Sequence, residues 1–216
     1  MVIEKLWRTE NLNKKFWFLV KEVFDKIVSF ISLIVLLPIF FVVSLLIKLD
    51  SPGPVFFLQD RVGKDGKIFK VFKFRTMTSD APEKTKGKYI DNSNPYFTRV
   101  GKILRRTGID ELPQKINVLK GEMSLVGPRP TLPYQVAKYN EYQRKRLLMK
   151  PGITSWALIH GINKLTWSER IKYDACYVKH WNFWLDIKII FNTMWVTASG
   201  EGLYADIETD EMAKVD

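Results

Sequence analysis

The chain has 216 residues, and 34 Lys and Arg against 23 Asp and Glu give it a formal charge of +11. Its one cysteine, Cys176, excludes an internal disulfide and a cysteine-based metal site, and fits a reducing compartment. Basic charge of this size fits anionic lipid, nucleic acid or phosphorylated substrates, and alone does not choose among them.

Residues 1–22 read as an N-terminal interfacial segment, with Leu6, Trp7, Phe16, Trp17 and Leu19 facing lipid. Residues 23–50 read as a membrane helix. Its core is an uncharged run of ~21 residues from Ile27 to Ile47, roughly 31 Å long if straight and so long enough to cross a bilayer. Pro38 sits at the middle, where its ring removes a backbone hydrogen bond and clashes with the preceding turn. Both flanks are basic, with Lys14, Lys15, Lys21 and Lys26 before the run and Lys48, Arg61, Lys64 and Lys67 after it. A spanning helix normally leaves one flank poorer in Lys and Arg. The reading is therefore a re-entrant helix, broken at Pro38, that leaves by the face it entered. A kinked spanning helix remains the alternative, because membrane helices tolerate proline.

Residues 51–200 should form one cytoplasmic domain of mixed α/β class, mainly helical with a small β-hairpin. Val55 to Leu58 and Lys67 to Phe74 read as the two strands, joined through Gly63-Lys64-Asp65-Gly66-Lys67. Residues 79–96 are polar and turn-rich and read as an exposed loop. Arg99 to Arg106 reads as a helix, and a second should run from about Asp110 to Lys120 with Pro113 in its first turn. The run from Gly121 to Pro130 reads as a loop, and Tyr139 to Met149 as a helix stopped by Pro151-Gly152. Thr166 and Glu169 have capping-box spacing and should open a helix to about His180. Phe183, Trp184, Ile187, Ile190, Phe191, Met194 and Trp195 then form an apolar stripe at helical spacing, suited either to a membrane interface or to an ordinary core. Residues 201–216 are a tail.

The chemistry is expected at Asp110 and Glu111. A carboxylate pair at a helix start usually only complements the dipole. Here Arg105 and Arg106 precede it by about a turn, Lys73 and Arg75 close a strand, and Arg129 lies between Pro128 and Pro130. Fixed guanidinium groups beside paired carboxylates suit a diphosphate held with a divalent cation.

Three stretches carry a resemblance: 70–77 (KVFKFRTM), 109–130 (IDELPQKINVLKGEMSLVGPRP) and 151–157 (PGITSWA). In their order, and behind a broken hydrophobic helix, they resemble the bacterial sugar transferase family, the monotopic polyprenyl-phosphate phosphoglycosyl transferases. The likeness runs from about Val23 to Trp195. It implies transfer of a sugar 1-phosphate from a UDP-sugar to undecaprenyl phosphate, with release of UMP, at the cytoplasmic face of the bacterial inner membrane. That reaction begins a surface glycan. It further implies Asp110 as nucleophile through a covalent intermediate, Glu111 as its assistant, Mg2+ near Asp110, and Arg105 and Arg129 as holders of the diphosphate. Lys73 and Arg75 are weaker candidates for the same task. The implied partners are UDP-sugar, undecaprenyl phosphate and lipids of the cytoplasmic leaflet, with no nucleic acid; a homodimer is compatible with such an exposed membrane face.

Some positions depart from the family pattern. The Ser-Pro common at the helix break is Leu37-Pro38 here, which leaves the break geometry open. The glycine after Pro-Gly-Ile-Thr is Ser155, and the polar run that follows reads Leu158-Ile159-His160-Gly161-Ile162-Asn163, so a different sugar preference is expected. His160 alone reads as structural. Three alternatives stay open: direct displacement with Asp110 acting only as a metal ligand, a non-catalytic basic scaffold on the membrane surface, and a membrane-tethered nucleic-acid binder.

Overall fold

The computed structural model describes residues 2–81, 95–161 and 165–199, with side chains from Asn13 to Thr197 within those ranges. A single long helix, α1 (Val2–Asp50), leads into the domain. Pro38 lies inside this helix rather than between two, and residues 1–22 and 23–50 belong to one element. The apolar length expected of a membrane helix is present: α1 carries a stretch of mean hydropathy 3.0, only 11% of which is buried.

The hairpin is as expected, though its first strand is longer. β1 (Phe56–Val62) pairs antiparallel with β2 (Ile68–Phe74), Phe57 opposite Lys73. α2 (Arg99–Thr107) is capped by Thr98, whose hydroxyl accepts from the Gly101 N–H, and ends at Gly108 with φ 70°. Gly101 has a packing reason: a Cβ there would lie 2.0 Å from the Thr76 carbonyl oxygen, so only glycine lets α2 rest on the chain leaving β2.

The expected 110–120 helix resolves into a 3-10 turn (Ile109–Glu111) and α3 (Gln114–Leu119), with Pro113 as N-cap where its missing N–H is harmless. The Gly121–Pro130 run is not all loop. Ser124–Val126 forms β3, parallel to β4 (Gly152–Thr154), and all three of its residues are buried. Three residues give too short a pattern to read as a strand. α4 (Pro133–Ala137) and α5 (Glu141–Arg144) follow, and the expected Tyr139–Met149 helix is only α5 plus a 3-10 turn at Lys145–Leu148. α6 (Trp167–His180) has the expected Thr166–Glu169 capping box, and α7 (Phe183–Ser199) carries the apolar stripe. Most of the 79–96 loop, Asn163 and the 201–216 tail lie outside the described residues.

Both flanks of α1 are built into the domain. Near its N-terminal side, Phe24 and Val28 pack on Leu125, Val126, Tyr177 and Ile189, and Phe18 stacks on Trp181 at 4.0 Å. Near its C-terminal end, Val43 and Ile47 are buried with Phe74 and Leu104. Between them, no residue from Phe30 to Val42 is buried. α7 is two-faced: Asp186 and Ile189 are buried, whereas Trp184, Phe191 and Trp195 are exposed on the opposite side.

Candidate functional site

The site forms where β2, the 109–111 turn and the 128–130 segment converge. Glu111 is its hub. Lys73 Nζ, at the end of β2, donates to Glu111 Oε1 at 2.7 Å, and Arg129 Nη2 donates to the same oxygen at 3.0 Å. Burial pushes the Glu111 carboxyl up, but the charges of Arg129 and Lys73 and their hydrogen bonds outweigh it and hold Glu111 well below the usual carboxylate range. Asp110, beside it, is 9% exposed. Burial and the Glu111 charge push its carboxyl up to about 6, against the attraction of Lys73, Arg105 and Arg129. Adjacent carboxylates thus differ in role: one is saturated by cations, the other is buried without a hydrogen-bonding partner among the described residues.

Three supports hold this geometry. Asn117, fully buried on α3, accepts from the Phe72 N–H at 3.0 Å and donates to the Lys70 carbonyl at 2.7 Å. That clamp fixes the strand carrying Lys73 against the helix that follows the carboxylates. Arg61 donates to the Pro130 carbonyl at 3.2 Å, and Arg146 to the Arg129 carbonyl at 2.9 Å. Arg146 is itself buried, ion-paired with Asp174 and bonded to the Tyr139 hydroxyl at 2.7 Å. The Arg129 backbone is therefore held by proline on both sides and by a guanidinium on its carbonyl.

The profile of the bacterial sugar transferase family matches residues 16–200. The chain belongs to that family. Among relatives of this bacterial sugar transferase, an undecaprenyl-phosphate glucose phosphotransferase of Komagataeibacter xylinus is 43% identical over 81% of this chain and 35% of its own length. A UDP-glucose:undecaprenyl-phosphate glucose-1-phosphate transferase of Escherichia coli (strain K12) is 42% identical over 82% of this chain and 39% of its own. An uncharacterized sugar transferase, EpsL, of Bacillus subtilis (strain 168) is 43% identical over 73% of this chain and 76% of its own. The chain thus spans little more than a third of the first two.

Of the residues expected at the site of this sugar transferase, Lys73, Asp110, Glu111 and Arg129 come together. Arg105 lies near enough for its charge to act on Asp110, with its guanidinium 4.9 Å from the Phe97 ring centroid. Arg75 does not join them. It is turned to the end of α1, where it donates to the Pro52 and Ser51 carbonyls at 2.8 and 2.7 Å. Lys73 points inward because the strand pleat places it so, and Arg75 lies one residue past the strand, where that alternation no longer holds. His160 bonds the Trp156 carbonyl at 2.7 Å and stacks on Tyr173.

Sequence reasoning missed Asn117, Arg146 and Asp174. Asn117 left one signal, an amide one turn after Gln114 on the buried side of a short helix. Arg146 and Asp174 are single charges in charged helices, and nothing in their spacing marks them as a pair.

Proposed function

We propose that this chain transfers a sugar 1-phosphate from a UDP-sugar to undecaprenyl phosphate at the cytoplasmic membrane face, releasing UMP and starting a surface glycan. The observation that carries this reading is the buried Asp110 carboxylate beside Glu111, Lys73 and Arg129, in a chain whose relatives include enzymes named for that reaction. In the first step an Asp110 carboxylate oxygen attacks the phosphorus bearing the sugar. The bond from that phosphorus to the bridging oxygen breaks, and UMP leaves with the electron pair. In the second step an oxygen of undecaprenyl phosphate attacks the same phosphorus and the Asp110 carboxylate departs.

Arg129 and Arg105 suit the diphosphate oxygens, where fixed charge favours the transition state. Glu111, held so low, is a poor base near neutrality. Its arrangement supports a positioning role, aiming Lys73 and Arg129, and a lipid phosphate with a second pKa near 6 needs little help to ionise.

The residues fit Mg2+ in its usual form. Among the described residues no three metal-ligating side chains cluster, so an all-protein cage is lacking. Mg2+ commonly binds one or two carboxylates plus substrate phosphates, and Asp110, short of other partners, is the residue suited to hold it. When bound, the ion supplies positive charge to the phosphate oxygens.

The re-entrant reading of α1 has support in its packing. Lys21 and Asp25 on one side, and Ile47 and Asp50 on the other, are all bonded or packed to the same domain. Phe40 packs on Phe74, so the stretch between the two attachments is Phe30 to Ile39, roughly 15 Å as helix against a hydrocarbon core of about 30 Å. Two ends held on one domain do not sit on opposite sides of a bilayer, and Pro38, inside α1, is the residue at which the helix would bend in the membrane. The exposed Trp184, Phe191 and Trp195 face of α7 suits the same interface.

The test is UMP release from a panel of UDP-sugars with Mg2+ and undecaprenyl phosphate. Release with at least one sugar, abolished in Asp110→Asn, is expected. Silence across a panel of glucose, galactose and N-acetylated sugars, from a folded protein, would count against the reading.

A further inference from the structure

A cavity of about 270 Å3 lies between the N-terminal flank of α1 and the domain, and no residue of the carboxylate site lines it. Its floor is closed by buried polar pairs. Lys21 donates to the Val126 carbonyl at 3.0 Å and to Asp186 at 2.6 Å, and the Ser124 hydroxyl donates to Asp25 at 2.6 Å.

Its rim is not balanced in this way. Lys26 and Lys150 share one oxygen, Glu22 Oε1, at 3.4 and 2.9 Å. Lys64, on the turn between β1 and β2, meets no carboxylate among the described residues. Three ammonium groups thus face one carboxylate at the rim, and with Lys21 of the floor set between Asp25 and Asp186 the cavity keeps an excess of one positive charge. Phe18 and Leu148 lie beside them, 43% and 60% exposed, and give the rim an apolar side. Depth is the other constraint. Lys26 immediately precedes the uncharged run of α1, so the rim lies where headgroup phosphates lie.

We propose that this cavity binds an anionic phospholipid of the surrounding leaflet. Its phosphate is held by Lys26, Lys64 and Lys150, and its acyl chains run from there toward the bilayer core along the exposed Ile27, Phe30 and Ile31 of α1. The inference rests on the membrane placement of α1 given above and not on chemistry at Asp110. An acceptor must reach Asp110, and the lack of any shared lining residue favours a resident lipid over the acceptor.

The experiment is native mass spectrometry of the full chain in detergent, offered phosphatidylglycerol, phosphatidylcholine and undecaprenyl phosphate. The wild type should retain phosphatidylglycerol over phosphatidylcholine. In the Lys26→Gln, Lys64→Gln double variant, which leaves the Lys150–Glu22 pair, that preference should fall about 25-fold, roughly fivefold per lysine. UMP release should persist, since neither lysine touches the carboxylate site. An unchanged preference in the variant, or none in the wild type, would overturn the proposal. So would displacement of phosphatidylglycerol by undecaprenyl phosphate at equal concentration, which would make the cavity the acceptor's. Absence of UMP release from the wild type would count against the catalytic reading alone.

Discussion

Arg75 closes the C-terminal end of α1 through Ser51, donating to its carbonyl at 2.7 Å and its hydroxyl at 2.9 Å from one guanidinium nitrogen. The other terminal nitrogen meets the Pro52 carbonyl. Gly53, with φ 124°, makes room: a Cβ there would lie 2.1 Å from that nitrogen. From the same junction Asp50 accepts the Val100 N–H at 2.9 Å, in the first turn of α2. The end of α1 is thereby tied to both elements that deliver the site, β2 with Lys73 and α2 with Arg105.

Arg75→Ala should therefore lower stability by about 3 kcal/mol, since several helix-end carbonyls lose a charged donor in a buried place. Arg75→Lys should cost less, keeping the charge but losing the fork. Thermal unfolding in detergent measures both. Activity per folded molecule should change far less than on loss of Lys73, and an equal loss would place Arg75 in the chemistry.

Glu111, Lys73 and Arg129 should behave as one unit. Lys73→Met or Arg129→Met should each lower kcat/KM on the order of 10²-fold. The double variant should lose less than the product of the two, because both cations bond a single Glu111 oxygen. Simple additivity in a double-mutant cycle would mean that the two cations act separately.

Asp110 predicts a stability gain on loss of function. Its pKa of about 6 lies above the ordinary 3.8, so the folded state binds the proton more tightly than the unfolded chain. Ionising it costs stability, fully felt above about pH 6 and absent below about pH 4. Asp110→Asn should stabilise the protein by up to about 3 kcal/mol at pH 7.5 and by little at pH 4. Wild-type activity, which needs the carboxylate, should fall with pH only below the pKa that Asp110 has with Mg2+ bound, which the cation's charge sets below about 6. Denaturation at the two pH values and a pH–rate profile give both readouts.

Much of this was legible in the residues. The capping box at Thr166 and Glu169, the hairpin and the uncharged run of α1 are local patterns, each with one physical cause. The site was half legible. Asp110, Glu111 and Arg129 stand in a recognisable stretch, but which cation meets Glu111 depends on where β2 ends, and that separated Lys73 from Arg75. Asn117 and the Arg146–Asp174 pair were not legible, since bonds between residues 28 to 47 positions apart leave no period in the chain.

A re-entrant α1 predicts that both of its ends face the cytoplasm. In a Cys176→Ser background, Asn13→Cys and Lys48→Cys should both resist a membrane-impermeant maleimide in intact cells and react after lysis. Labelling of only one of them in intact cells would mean that the helix spans.

The central claim is a covalent sugar phosphate on Asp110, and intact-protein mass spectrometry with Mg2+ and a UDP-sugar panel, without lipid acceptor, tests it most directly. The account predicts an adduct of one sugar phosphate that is absent in Asp110→Asn and discharged by undecaprenyl phosphate. UMP release on adding the acceptor, with no adduct trapped in its absence by rapid quenching, would contradict it and leave direct displacement.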